Sequence, residues 1–196
     1  MNRASPEQRR GKGGRAAVLG LASVCLAVAA GCWWCLVPVR YTFDATTART
    51  PAELGWAAPG SSVGPSNFEL KIAARRRTAT VKLPALQPYE EPRVARMFCE
   101  APRGSLQKLV IAGAPLTMEQ AVDRVRDWSR VWGFDTPDMG QWRTRVGNGD
   151  LGPYAAGRFA KTPGAMDVWL EIRPSFNRDR PWYVTFNVYW HPAAGG

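Results

Sequence analysis

Residues 16–39 (AAVLGLASVCLAVAAGCWWCLVPV) carry no charged side chain, and about 20 consecutive apolar residues suffice to cross the hydrocarbon core of a bilayer as a helix. A charge at the centre of such a helix costs about 2.5–3.5 kcal/mol, so this run reads as a membrane segment. The residues before it, 1–15, set Arg3, Arg9, Arg10, Lys12 and Arg15 against Glu7, a net charge of +4. A basic flank stays on the cytoplasmic side, and Trp33, Trp34, Pro38 and Arg40 suit the far interface. The expectation is a bacterial membrane protein with one anchor, its N-terminus cytoplasmic and residues 40–196 extracytoplasmic.

Within the same run, Ala29-Ala30-Gly31-Cys32 resembles the lipobox of bacterial lipoproteins, whose signal peptide is cut before a lipid-modified Cys. The resemblance implies an alternative anchor, a lipid on Cys32 after removal of the signal, and the same extracytoplasmic location. Cys32-Trp-Trp-Cys35 is also a C-x-x-C, but redox chemistry needs a preceding strand and an exposed thiol of lowered pKa, neither of which suits this apolar setting. Cys99 is the only Cys beyond residue 35. It reads as a small core residue, and the outer part has no internal disulfide.

Hydrophobic residues make up 45% of the chain, with nine Trp, seven Phe and five Tyr, which excludes a wholly disordered protein. Residues 40–66 are rich in Thr, Ala, Gly, Pro and Ser and read as a tether, with one short strand near 41–47. Residues 67–196 read as the folded domain. Alternation at Phe68, Leu70 and Ile72, and at Ala79, Val81 and Leu83, predicts two strands with Arg75, Arg76 and Arg77 between them. Pro84, Pro88 and Pro92 interrupt the stretch 84–92, and the apolar run 106–112 predicts a central strand.

Thr117 followed by Gln120 has capping-box spacing, and Gly133 suits a helix C-terminus. Between them Met118, Ala121, Val122, Val125, Trp128, Ser129 and Trp132 share one side of a helix. Asn148-Gly149 signals a hairpin turn. Met166, Val168, Leu170 and Ile172, then Trp182, Val184, Phe186, Val188 and Trp190, alternate cleanly as an antiparallel pair. The expected fold class is α+β: a membrane helix or signal, then an antiparallel sheet of about five to seven strands with one long helix on one face. The other face, with Trp169, Tyr183 and Tyr189, would be partly aromatic and a docking surface if exposed.

Motifs for catalysis are present only as letters. Gly60-Ser61-Ser62-Val63-Gly64 matches G-x-S-x-G, but Pro59 and Pro65 bracket it where a nucleophile elbow needs a strand and a helix. The run 147–152 matches G-x-G-x-x-G without a helix to open. His191 is the only histidine, at a strand end before Pro192, which excludes a His-rich zinc site. Glu119, Asp123 and Asp127 share their stripe with Arg126 and Arg130, an ion-paired helix surface.

No catalytic residue, cofactor or metal ligand is therefore expected. Residues 40–196 carry 21 basic and 15 acidic side chains, with Arg75, Arg76, Arg77, Arg178 and Arg180 as the candidate partner or anion surface. The expected partners are the membrane and a protein of the envelope, with no nucleic acid. The expected function is a non-enzymatic module that binds a protein, as an envelope assembly factor or toxin-immunity protein does. The alternatives are an envelope enzyme acting on cell-wall or lipid substrate, with Ser62 or His191 as candidates, and an electrostatic binder of anionic envelope polymer.

Overall fold

The structure, a computed structural model, describes residues 38–56, 67–70 (backbone only), 77–150, 152–160, 164–174 and 181–192. Residues 16–37 of the expected membrane run, with Cys32, and Ser62, Arg75, Arg76, Arg178 and Arg180 lie outside them, whereas Val39, expected to end that run, begins a strand. Among the described residues no helix is long and apolar enough to cross a membrane.

The fold is α+β, with mainly antiparallel sheets and few helices. Strands β1 (Val39–Asp44), β3 (Arg77–Leu83) and β4 (Leu86–Glu91) form a three-stranded sheet in the order β1-β3-β4, with β1 parallel to β3. Six strands form the larger, wholly antiparallel sheet in the order β2-β5-β6-β9-β8-β7: β2 (Asn67–Leu70), β5 (Val94–Glu100), β6 (Lys108–Gly113), β7 (Tyr154–Arg158), β8 (Met166–Pro174) and β9 (Trp182–Trp190). The run 106–112 does supply a central strand, and the last pair is antiparallel over nine residue pairs.

Helix α1 (Pro51–Leu54) is a single turn, α2 (Met118–Trp132) has 15 residues and α3 (Met139–Gly147) has nine. The expected caps shape α2. Thr117 N donates to Gln120 Oε1 at 2.9 Å, Gln120 N donates back to Thr117 Oγ1 at 3.2 Å, and Gly133 takes a left-handed φ of 63°. Its buried residues Ala121, Val122, Val125 and Trp132 pack on β8 and β9.

The three-stranded sheet covers the same face of the larger one. Tyr89 of β4 stacks on Phe186 of β9 with ring centroids 4.2 Å apart, and Trp128 and Trp132 of α2 close around Tyr89. One apolar core therefore lies between the six-stranded sheet on one side and α2 with the small sheet on the other. Cys99 is buried in it, and burial pushes its thiol up to about 12.

Three differences from the sequence reading have local causes. The expected tether begins as folded chain, because Phe43, Ala45, Ala48, Leu54 and Trp56 all enter the core and Thr50 caps α1. Pro88 does not break β4, because β4 pairs only with β3 and the register shifts where Pro88 falls. Asn148-Gly149 ends a helix instead of turning a hairpin: Asp138 accepts from Gly140 N and Gln141 N to start α3, and Trp142 is buried. The G-x-G-x-x-G letters thus close a helix rather than open one.

Candidate functional site

Alternation along each strand gives the larger sheet two unlike faces. Val184, Phe186 and Val188 of β9 enter the core, while Tyr183, Thr185, Asn187 and Tyr189 point to the side away from it. Register carries this across the sheet. Val110 pairs with Asn187 and Phe98 with Val110, so Phe98, Val110, Asn187 and Trp169 form one row. Arg96, Ala112, Thr185 and Glu171 form the next. Lys108 opposite Tyr189 begins the series, and Arg173 opposite Tyr183 ends it.

These rows line a groove of about 850 Å³, within the range of ligand sites. Its walls are largely apolar (Phe98, Val110, Ala112, Pro174, Tyr183), and Arg96, Lys108 and Arg173 bring positive charge. The polar floor is deeply buried, with Glu171 6%, Thr185 9% and Asn187 2% exposed. Arg173 pairs with Glu171 Oε1 at 2.9 Å, and Asn187 Nδ2 donates to the Thr185 carbonyl and hydroxyl at 3.2 and 3.1 Å.

The aromatic residues expected on this face are there but half-buried. Trp169 lies between Phe159, 5.9 Å away, and the Lys108 ammonium, 5.9 Å from its ring. Tyr189 accepts a hydrogen bond from Gln107 Nε2 at 3.3 Å. A second groove of about 800 Å³ runs between Leu86, the end of α2 (Trp132 to Asp135) and the β7 end (Gly157 to Phe159). Among its described lining residues no buried polar side chain converges.

Among the residues singled out in the sequence, Arg77 is buried in β3 with its guanidinium 5.9 Å from the Tyr41 ring, within the small sheet and not on a solvated turn. His191 is half-buried, and its Nε2 lies 2.9 Å from Asp167 Oδ2. Asp167 Oδ1 accepts from Ala160 N at 2.6 Å, so the pair fastens the end of β9 to the chain leaving β7. Carboxylate-oriented histidines serve as bases in hydrolases, but here the partner hydroxyl that sequence offers, Ser62, is not among the described residues. Asp123 and Asp127 pair with Arg126 and Arg130 at 2.9 and 3.3 Å. No group of three or more His, Cys, Asp or Glu able to hold a metal exists among the described residues.

One buried ionic cluster was not legible in the sequence. Glu91 is fully buried; its Oε2 accepts from Tyr89 OH at 2.9 Å and pairs with Arg124 at 2.9 Å, while its Oε1 accepts from Arg93 N at 3.0 Å. Burial, and then the Glu91 charge, hold the Tyr89 hydroxyl well above its ordinary pKa. A Cβ at Gly113 would stand 2.7 Å from Glu91 Oε2, so a larger residue there would displace the carboxylate from its partners. Every bond of this cluster is internal, and neither groove is lined by it. It ties α2 to β4 and belongs to the fold.

Comparison with known protein families, with curated proteins and with solved structures finds no match.

Proposed function

We propose that this chain is a membrane-anchored extracytoplasmic module that binds a protein partner and performs no chemistry of its own. The observation that carries the reading is the face of the six-stranded sheet opposite α2, a groove with apolar walls, cationic margins and a buried polar floor. Surfaces of that make-up are built for recognition, with a few placed polar groups among apolar ones. The charge-free run over 16–39 behind a basic flank supports the location, as a spanning helix or as a lipoprotein signal ending at Cys32.

The test is site-specific photo-crosslinking in intact membranes, with the crosslinker at Tyr183 in the groove or at Asp127 on the exposed side of α2. A protein adduct from Tyr183 and none from Asp127 supports the reading; adducts from neither position overturn it. Intact mass of the membrane-extracted chain beside Cys32→Ala then decides the anchor. The alternative, an envelope enzyme, has the His191–Asp167 pair in its favour. It requires that His191→Ala abolish a hydrolytic activity on cell-wall or lipid substrate while the fold survives.

A further inference from the structure

Resting on the protein-binding reading above, we infer that the groove takes an extended, acidic segment of the partner, lying along β9 with two carboxylates about six residues apart. Three features of the face carry this.

The first is the floor. Asn187 spends its amide N–H groups on Thr185, which leaves its Oδ1 as the acceptor it brings to the groove lining. An N–H of the occupant can donate to that oxygen. The Thr185 hydroxyl beside it accepts from Asn187 and has its own proton to give. An acceptor and a donor side by side match the N–H and C=O of a peptide backbone, whereas an acyl chain would leave both unsatisfied.

The second feature is the placing of charge. Lys108 sits opposite Tyr189 and Arg173 opposite Tyr183, at the two ends of the groove. Six residues of strand separate those positions, about 20 Å at the strand rise of about 3.4 Å. An extended peptide advances equally per residue, and residues six apart point to the same side. Two carboxylates at that spacing reach both cations. The groove's only lining carboxylate among the described residues, Glu171, takes one nitrogen of Arg173, and the guanidinium, 56% exposed, keeps further N–H groups for a second carboxylate.

The third is the walls. Phe98, Val110 and Ala112 on one side and Tyr183 and Pro174 on the other offer apolar contact to side chains between the two acids. The charge complement favours an acidic polypeptide over a neutral one, and the paired backbone-like groups favour a polypeptide over an anionic lipid.

The experiment uses the full chain in detergent micelles and a fluorescent decapeptide of Ala, Val, Ser and Tyr carrying two Glu six residues apart. Fluorescence anisotropy compares it with the same peptide with both Glu replaced by Gln, and with one whose central amide is N-methylated. The acidic peptide is expected to bind best, with a loss of about fivefold for each carboxylate removed and a similar loss on N-methylation. Lys108→Gln and Arg173→Gln should each erase the advantage of one Glu, while Arg126→Gln on α2 leaves it intact. Circular dichroism checks that each variant stays folded. Equal affinity for the Glu and Gln peptides, no measurable binding of either, or competition by phosphatidylglycerol vesicles in place of peptide would overturn the inference. A partner adduct at Tyr183 in membranes would keep the protein-binding reading standing in each of those cases, so the two failures are separable.

Discussion

The two faces of the six-stranded sheet are built from alternate residues of the same strands, yet they obey different rules. On the covered face, Leu109, Ile111, Leu170, Ile172, Val184, Phe186 and Val188 are fully buried, with Tyr89 and the Trp residues of α2 packed on top. On the opposite face the buried residues are Asp167, Glu171, Thr185 and Asn187, which can be withdrawn from water only if they are hydrogen-bonded or paired. The first face holds the molecule together by area and shape. The second adds little to that and, on the reading proposed above, is the surface offered to a partner.

The largest effect should come from the one place where the covered side relies on charge. Arg124→Ala leaves Glu91 fully buried without its cation, and loss of one member of a buried pair costs about 3–5 kcal/mol. Urea unfolding of the full chain in micelles should show the midpoint collapse. Glu91→Gln removes the buried charge and keeps one acceptor oxygen, for either Tyr89 OH or Arg93 N; it should cost less, and the reverse order would mean that packing and not charge joins α2 to β4.

Neighbours on β9 sharpen the contrast. Phe186→Ala removes a ring that is fully buried and stacked on Tyr89, worth about 3–5 kcal/mol. Thr185→Ala, one residue away and pointing to the groove, removes one acceptor for Asn187 and should cost about 1 kcal/mol. Similar losses at both sites would mean that the faces are not energetically distinct.

The core also makes the fold sensitive to alkali. The Cys99 thiol rises from 9.0 to about 12 on burial, so the folded state holds that proton more tightly than the unfolded chain. Its contribution to stability is complete below pH 9 and is lost as pH rises through about 12, at about 1.4 kcal/mol per unit. Tyr89, raised well above 10.0, adds loss in the same direction. Thermal unfolding followed from pH 8 to pH 11 should show a falling midpoint, flattened in Cys99→Ala; a flat profile in the parent chain would show that the thiol meets water.

How far each region could be read from the chain depends on the same contrast. Helix α2 was legible because Thr117, Gln120 and Gly133 act within a few residues of each other, and β8 and β9 because an apolar period of two has no competing explanation. β4 was hidden because Pro88 is compatible with a strand only at a sheet edge, and edges are a property of the assembled sheet. β1 and α1 were hidden in a stretch whose Thr, Ala and Pro resemble a linker, although Phe43, Leu54 and Trp56 supply core surface. The groove was half legible. Alternation put Thr185, Asn187 and Glu171 on the face away from the helix, but it gives phase and not depth, so their burial could not be foreseen. Arg96 and Lys108 join them only through the pairing of β5, β6 and β9, which no local pattern encodes.

The smallest stability effect is the one that separates the faces most sharply. The Arg173 side chain is 56% exposed and Lys108 is half-buried over Trp169, so their charges act mainly through water. Arg173→Gln leaves Glu171 without its cation at 8% side-chain exposure and should cost about 1–3 kcal/mol, the penalty of a buried group left unpaired. Exposed charges contribute about 0.2–1 kcal/mol, and Lys108→Gln should shift the urea midpoint by no more than that. In the same proteins the preference for the acidic decapeptide should weaken, and raising salt should weaken it in the parent chain as well. Stability kept and recognition lost in Lys108→Gln would assign that cation to binding. Loss of stability as large as that of Phe186→Ala would instead make the groove face a second core, and the distinction between the faces would fall.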